Sequence, residues 1–565
     1  MRRLTQVRSD STGPEINIVS IRSLEKQLEE GTGDVIQLKQ ARNSLLNVTT
    51  LIPPEILGYI FRWNVIPGGD YPYIGEVRGG SYNFLLVCHH WFEVASRTPA
   101  LWSFWGNSLE QWSRRCNKSA RATPVDLVLS RYLERDSPTD VIEHLRDALR
   151  ERTACDTIRS VHLQCRTRRL LHPASSQHKA KRLFASVLSS LTPDGEEIRN
   201  TRIEAITIRY ADVSDFFSRY RFPKLHYLHL SNGIGMTSWE HLGLHTEALT
   251  TLHLSLGGAP RPPTTSQLLL ILASNPRLQD LALYESAIPR ENTDGSTFRV
   301  SLRHLKKLSL NRDFRSVFQL LSRLDHPESV DKMKLTVSLC TVEDVLGTIG
   351  PYLRDHLRRD GRFRDGLGIL LDSYGFSISI QARTISGDEC PAQAVTFVKF
   401  TAGLRMKLSA SAEDKLCVDL VAYTPREHVV YFGGTLNMEV VRQIAPTMPR
   451  IKEVHLFNAS LASGFLQPDP DGPLANTKLF PSLRHIHLNG AVPEVDDWSP
   501  LISYLTHQTS DGRAISLALT GGRYHVCKSV MKEMEGLVDK LILNLLLDED
   551  CRFGDCSMDE SEEDD

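Results

Sequence analysis

The chain has 565 residues, of which 41% are hydrophobic and 24% are charged, and its formal net charge at pH 7 is −2. These proportions are those of an ordinary soluble globular protein, and a charge so close to zero argues against nucleic acid or a membrane surface as the partner. The longest apolar runs, LLLILA and LILNLLL, are far too short to cross a bilayer.

The small net charge hides an acidic C-terminal segment. Residues 548–565 contain ten acids and one Arg, a net charge of −9, which leaves +7 on the rest of the chain. Such a composition is typical of a solvated, disordered end, and a tail that binds a partner or is phosphorylated is the alternative.

The cysteines and the first residues indicate the compartment. Ten cysteines are scattered along the chain without a C-x-x-C pair, and the opening MRRLTQVRSDSTG has no apolar run behind it. Reduced thiols and no secretion signal are expected of an intracellular protein. We therefore expect a cytoplasmic or nuclear location, or both.

Residues 1–48 are predicted to be disordered at first and then to form a short helical or coiled-coil segment. Ile21, Leu28 and Val35 are spaced seven apart, and Gly31 and Gly33 interrupt the pattern. A helix that simply packs on the next domain is the alternative.

Residues 49–63, TTLIPPEILGYIFRW, predict a helix that is apolar on nearly every side. Pro53 and Pro54 suit the first turn of a helix, where a missing N–H costs no hydrogen bond. A surface helix needs one apolar stripe, whereas this helix has six apolar residues. We therefore expect neighbours to bury it on more than one side. Its apolar residues are Ile56, Leu57, Tyr59, Ile60, Phe61 and Trp63.

A second apolar helix is predicted at 84–95, FLLVCHHWFEVA. A loop rich in Gly and Pro, 64–83, separates it from the first helix, and the following SRTPALWSFW brings several aromatic residues together.

The order and spacing of these residues resemble an F-box. The pattern L-x-P-P-E-I-L, then I-F, L-L-V-C-x-x-W-x-x-x-A and T-P-x-L-W, covers about residues 49–105 and is similar to the F-box proteins expanded in mushroom-forming fungi. The resemblance implies two helices that bind a Skp-type adaptor and, through it, a cullin ubiquitin ligase. The loop at 64–83 is longer than the family's usual link, and a self-contained helical domain without an adaptor is the alternative. The resemblance assigns adaptor binding to Leu51, Pro53, Glu55, Ile56, Leu57, Ile60, Phe61, Leu86, Val87, Cys88, Trp91, Leu101 and Trp102.

An apolar frame, L-x-x-L-x-L, recurs in the remaining chain at steps of 22 to 29 residues between 203 and 330. This is the signature of a leucine-rich repeat, whose units bury a continuous core by stacking. Four copies share a Pro two residues before the frame, and weaker copies begin at Ile158, Ile203, Val330 and Val538. The clear copies are Leu225/Leu228/Leu230, Leu249/Leu252/Leu254, Leu278/Leu281/Leu283, Leu305/Leu308/Leu310, Ile451/Val454/Leu456 and Leu483/Ile486/Leu488.

The predicted fold class is therefore α/β: an N-terminal helical F-box at 49–105, followed at 106–547 by an irregular solenoid with a curved parallel sheet and outer helices. TPVDLVLS alternates in the manner of a strand. Residues 360–440 do not fit the frame, although FSISIQARTI and KLCVDLVAY look like strands. Residues 548–565 are expected to form an acidic, disordered tail.

The residues between the apolar positions are expected to lie on the concave face of the sheet. His occurs there repeatedly, which suggests a ligand-binding or pH-responsive ladder. The alternative is that an amphipathic imidazole merely suits an exposed strand position. The candidates for binding a substrate are His162, Tyr227, His229, His253, Tyr284, His455, Phe457, His485 and His487.

No catalytic or metal-binding motif was found, so we expect neither an enzyme nor a cofactor. The resemblance implies a substrate receptor of an SCF-type ubiquitin ligase, with a protein substrate as its second partner. The alternatives are an F-box scaffold that directs no ubiquitination and a sensor whose repeats bind a small ligand.

Overall fold

The structure is a computed structural model in which part of the chain is described. The described residues are 23–24, 26–27, 37–39, 52–65, 87–98, 101, 104–106, 124–130, 158–164, 199–200, 203–209, 217, 220–231, 239, 242, 248–256, 262–290, 298–325, 330–359, 363, 366–373, 377–384, 396–404, 407–435, 438–457, 480–489, 498–510, 512–520 and 528–544. The acidic segment and most of residues 1–48 lie outside them. The boundaries proposed for the F-box and the solenoid stay predictions.

The chain divides into two compact units, Met1–Ala248 and Leu249–Asp565. The elements of the first unit are α1 (Pro54–Val65), α2 (His89–Ser96), β1 (Phe104–Gly106), β2 (Val125–Ser130), β3 (Ile158–Gln164), β4 (Arg199–Asn200), β5 (Ala205–Arg209), β6 (Tyr220–Arg221) and β7 (Tyr227–Ser231).

A parallel sheet organises the first unit. Strands β1, β2, β3, β5 and β7 pair in that order, and β4 and β6 form a separate short pair. In register, Leu127, Val161, Ile206 and Leu228 stand side by side on four strands, and each is at most 1% exposed. The stacked apolar row is the core that a repeated frame requires.

The second unit contains the remaining elements. They are β8 (Thr251–Ser255), α3 (Thr265–Ala273), β9 (Asp280–Tyr284), β10 (Val300–Ser301), β11 (Lys307–Asp313), α4 (Phe314–Leu321), β12 (Leu324–Asp325), β13 (Lys332–Cys340), α5 (Val342–Asp344), a π turn (Val345–Ile349), α6 (Gly350–Arg359), β14 (Leu367–Ser373), β15 (Ser377–Thr384), β16 (Thr396–Leu404), α7 (Ala410–Val421), β17 (Val429–Gly434), α8 (Met438–Ile444), β18 (Glu453–Phe457), β19 (His485–Asn489), α9 (Ser499–Thr509), β20 (Ser516–Thr520), α10 (Lys528–Leu537) and β21 (Lys540–Asn544), with 3-10 turns at Glu285–Ala287, Arg426–His428 and Ala445–Thr447.

Most strands of the second unit are parallel, and helices cover one side of them. Strands β8, β9, β11 and β13 pair in chain order, as do β17 to β21. Helix α4 packs against β11 and β13, and α10 packs against β21. The α/β class with a parallel sheet and outer helices is thereby confirmed, and it is consistent with a repeat solenoid.

The strand order inverts within the region that resisted the repeat frame. Strand β16 pairs parallel to β13, β15 pairs antiparallel to both β16 and β14, and β14 pairs parallel to β17. The spatial order is therefore β13-β16-β15-β14-β17. A meander of this kind replaces the strand-and-crossover unit that the frame describes.

One strand prediction in this region is confirmed and the other is wrong. FSISIQARTI contains β15, whereas KLCVDLVAY lies largely in α7. The Ser409 hydroxyl accepts a hydrogen bond from the N–H of Ala412 at 3.3 Å and caps that helix. Its buried residues Leu416, Cys417 and Leu420 have helical spacing.

Within the described residues, no helix is long and apolar enough to span a bilayer.

Candidate functional site

Helix α1 is buried on one side and apolar on the other. Leu57 and Phe61, one helical turn apart, are 1% and 0% exposed. Ile56, Tyr59 and Ile60 belong to the other side and are 52%, 56% and 40% exposed. The chain therefore buries only part of the apolar surface of this helix.

The buried side of α1 packs on α2. The rings of Phe61 and Trp91 lie 5.0 Å apart at an angle of 56°. At Gly58 a Cβ atom would stand 2.9 Å from the hydroxyl oxygen of Thr98, which donates a hydrogen bond of 2.7 Å to the carbonyl of Val94. The missing side chain of Gly58 thus allows the helices to approach closely.

Large apolar side chains are also exposed on and beside α2. Val87 precedes the helix and is 54% exposed, and Phe92 within it is 40% exposed. Exposed large apolar side chains grouped on two packed helices are a feature of interaction sites. We call Ile56, Tyr59, Ile60, Val87 and Phe92 the apolar helix surface.

The residues that were predicted to bind an adaptor differ in how far the chain buries them. Leu57, Phe61 and Leu101 are at most 1% exposed in this chain, and their role in adaptor binding stays a prediction. Phe61 packs on Trp91 of α2. Pro53, Glu55, Ile56, Ile60 and Val87 are exposed, and Cys88 and Trp91 are half-buried. Leu51, Leu86 and Trp102 lie outside the residues whose side chains are described. Tyr59 and Phe92, in the same helices, are also exposed and were not among the predicted residues.

The inner face of the sheet, opposite the helix-covered side, carries polar networks. In the first unit, Ser160 donates a hydrogen bond to Asp126 at 2.7 Å, and the guanidinium of Arg159 binds the same carboxylate. His162 Nε2 lies 2.9 Å from the Ser160 hydroxyl. Because that hydroxyl already donates to Asp126, His162 must donate from Nε2.

The inner-face candidates of the first unit are buried. His162, Tyr227 and His229 are 6%, 8% and 9% exposed. Burial lowers the pKa of His162 from 6.5 to about 4, a fall that the charge of Asp126 partly offsets and that of Arg159 increases. Burial of the neutral imidazole is tolerated because the Ser160 hydroxyl accepts a hydrogen bond from its Nε2–H group.

A second network joins neighbouring strands of the second unit. His253, only 3% exposed, donates from Nε2 to the carboxylate of Asp280 at 3.0 Å, and Lys307 lies 3.5 Å from the other oxygen. Burial would raise the pKa of Asp280, but the bond from His253 and the charge of Lys307 outweigh it and lower the pKa. His253 is therefore buried and paired. Tyr284, which is half-buried, contacts the Ser309 hydroxyl at 3.1 Å.

A third network connects β18, β19 and β20. His455 donates from Nε2 to Glu453 at 2.7 Å, His487 Nδ1 lies 3.2 Å from His455 Nδ1, and His487 Nε2 lies 2.6 Å from the Thr520 hydroxyl. With Glu453 as the final acceptor, one set of neutral tautomers satisfies the chain: Thr520 donates to His487, which donates to His455. Burial and the proximity of His455 lower the pKa of His487, against the attraction of Glu453.

Two of the nine inner-face candidates thus meet each other, namely His455 and His487, with ring centres 4.3 Å apart. Phe457 is half-buried and His485 is exposed. The carboxylates Asp126, Asp280 and Glu453 were missed. Glu453 stands two positions before His455, and Asp126 and Asp280 pair with Ser160 and Thr251, which stand two positions before His162 and His253. Among the described residues, no three His, Cys, Asp or Glu side chains are placed to hold a metal ion.

Comparisons with known proteins add little. No protein-family model matches the chain, and no curated protein matches it. Among solved structures, the chain is similar to the crystal structure of the leucine-rich repeat-containing protein LegL7 from Legionella pneumophila, with 13% identity and a TM-score of 0.24, over 67% of this chain and 95% of that chain. A TM-score this low carries no argument, so the following proposals rest on the chain itself.

Proposed function

We propose that this chain is the substrate-recognition subunit of an SCF-type cullin ubiquitin ligase, a leucine-rich-repeat solenoid with an N-terminal F-box. Helices α1 and α2 bind a Skp-type adaptor, and the inner face of the sheet binds a protein substrate. The chain supplies binding and effective concentration, while its partners supply the transfer chemistry.

The apolar helix surface carries this proposal. A helix that presents Ile56, Tyr59 and Ile60 to water while packing Leu57 and Phe61 inward has a second apolar side to bury. Burying one large apolar side chain contributes about 1.5–3 kcal/mol. A partner that covers this side explains why a segment with F-box spacing is apolar nearly all round.

The inner face supports the second half of the proposal. In the second unit it exposes or half-exposes Tyr284, Phe457, His485 and several lysines on adjacent strands. Tyr284 on β9 and Phe457 on β18 lie seven strand spacings apart in the sheet, so these side chains are spread over the inner face rather than gathered at one point. Aromatic and charged groups on a rigid sheet suit the recognition of a protein segment.

Co-expression with a Skp-type adaptor and a cullin tests the proposal. We expect the intact chain to purify with both partners, and the pair Ile56→Asp and Ile60→Asp to abolish the complex. Leu270→Asp is the matched control, because Leu270 is 48% exposed on a helix of the other unit. An unchanged thermal unfolding midpoint shows that each variant folds. If the intact chain captures no adaptor, the proposal is wrong.

The alternative, a scaffold that binds the adaptor without directing ubiquitination, predicts the same complex. Comparing protein abundances in cells that express the intact chain or the Ile56→Asp, Ile60→Asp variant separates the two. A receptor lowers the level of the proteins it binds only when the adaptor surface is intact, whereas a scaffold leaves those levels unchanged.

A further inference from the structure

Four lysines cluster on the inner face of the second unit. Lys307 and Lys332 are register partners on β11 and β13, and Lys334 and Lys399 are partners on β13 and β16. Lys332 and Lys334 are two residues apart on one strand, so all four belong to the same face. Met333, which alternates with them, is 2% exposed on the opposite side. We call the four residues the lysine patch.

The lysine patch faces solvent and is poorly neutralised. The side chain of Lys307 is 54% exposed, Lys332 and Lys334 are exposed, and Lys399 is half-buried. Lys307 pairs with Asp280. Within the described part of the chain, Lys332, Lys334 and Lys399 have no carboxylate within ion-pair distance.

Like charges directly opposite each other on neighbouring strands destabilise a sheet. Two such pairs, Lys307 with Lys332 and Lys334 with Lys399, stand next to each other here. On the adjoining strand β15, the Nε of Arg383 is shielded from water and has no acceptor among the described residues. The patch therefore offers cationic donors to an anionic ligand that the described residues do not supply.

The chain carries a segment of the complementary charge. Residues 548–565 have a net charge of −9, and 559–565, DESEEDD, include six acids. An acidic peptide matches a row of lysines better than a compact anion does, because its carboxylates can spread over several strands.

The segment is long enough to reach the patch. Strand β21 ends at Asn544, and seven strand spacings separate it from β16 along the paired sheet. At about 4.8 Å each, these spacings amount to roughly 34 Å. An extended chain covers about 3.4 Å per residue, so about ten residues reach β16. The residues from 555 onward then remain to lie on the patch.

We propose that the acidic segment 548–565 binds the lysine patch of its own chain. Attachment to the same polypeptide gives the segment an effective concentration in the millimolar range, so a weak ionic contact suffices. The segment then occupies part of the inner face, and an acidic stretch of another protein has to displace it. This contact lies within the second unit and does not depend on the adaptor. Its test is therefore independent of the test of the proposed function.

A labelled synthetic peptide of residues 548–565 is the probe, with binding followed by fluorescence anisotropy. The acceptor is the full chain in two forms: unchanged, and with Asp559, Glu560, Glu562, Glu563, Asp564 and Asp565 replaced by the corresponding amides. We expect the tail-neutralised form to bind the peptide at least tenfold more tightly, because its patch is vacated. Affinity should fall as salt is raised, since the contact is ionic.

The patch itself is tested in the tail-neutralised chain. Lys334→Gln with Lys399→Gln should weaken peptide binding at least tenfold, whereas Lys407→Gln with Lys415→Gln, two exposed lysines outside the patch, should leave it unchanged. Equal peptide binding by the unchanged and the tail-neutralised chains would overturn the proposal, as would binding that is insensitive to Lys334 and Lys399. Adaptor co-purification should be the same for every form.

Discussion

Single residues decide how closely the strands and helices of this chain approach each other. Gly434, at the end of β17, has φ +139°, and a Cβ atom there would stand 1.7 Å from the carbonyl oxygen of Leu371. Its neighbour Gly433 would place a Cβ atom 2.4 Å from the carbonyl oxygen of His455. The two glycines allow β17 to pair where the meander joins the parallel strands.

Gly434→Ala should therefore lower the free energy of unfolding by about 2 kcal/mol or more, because backbone strain and a clash with main-chain atoms add. Urea unfolding measures the loss. Gly512→Ala is the matched control: Gly512 also has positive φ, +73°, but nothing lies within 4 Å of its Cβ position. A loss no larger than that of the control would contradict the clash.

His162 should make the stability of the first unit depend on pH. Its pKa is lowered from 6.5 to about 4, so between these values the unfolded chain binds the proton and the folded chain does not. Stability is therefore complete above pH 6.5 and declines as the pH falls towards 4. We expect about 2 kcal/mol to be lost between pH 7.5 and pH 5.

His162→Gln checks this effect, since an amide N–H can still donate to Ser160 but does not titrate in this range. Urea midpoints at pH 7.5 and pH 5 should differ less in the variant than in the unchanged chain. Equal pH dependence in the two proteins would show that other groups, such as the half-buried His487, are responsible.

At the scale of elements, helix α1 divides its apolar residues between a buried core and an exposed surface. Phe61→Ala should lower the free energy of unfolding by about 3–5 kcal/mol, because Phe61 is 0% exposed and packs on Trp91. Tyr59→Ala should change it by less than about 0.5 kcal/mol and should weaken adaptor binding instead. Unfolding and binding measured on the same two variants check the division, and similar behaviour of both variants would refute it.

The sequence could predict which residues of α1 matter, but not which side each one faces. Leu57 and Ile56 are equally apolar and adjacent, and only the packing of α2, more than thirty residues later, distinguishes them. In α7 the local alternation of KLCVDLVAY imitated a strand. The cap at Ser409 and the burial of Leu420 against other elements stabilise a helix instead.

At the scale of the whole molecule, the repeated frame predicted strands well because its information is local. Each clear copy, from Leu225 to Leu488, lies on a parallel strand whose apolar positions are buried. Two features could not be predicted from one copy at a time. The inversion from β13 to β17 depends on pairing between distant segments, and the burial of His162 and His253 depends on carboxylates supplied by neighbouring repeats.

The affinity of the chain for a purified Skp-type adaptor tests the central claim most directly. Titration calorimetry on the unchanged chain, Ile60→Asp and Leu270→Asp compares the apolar helix surface with an equivalent exposed leucine. We expect Ile60→Asp to raise Kd at least a hundredfold, about 3 kcal/mol, because a carboxylate would be buried against the partner, and Leu270→Asp to leave Kd within about threefold, as for a distant surface change. Equal affinities for all three proteins, or no binding by the unchanged chain, would contradict the assignment of this surface to an adaptor.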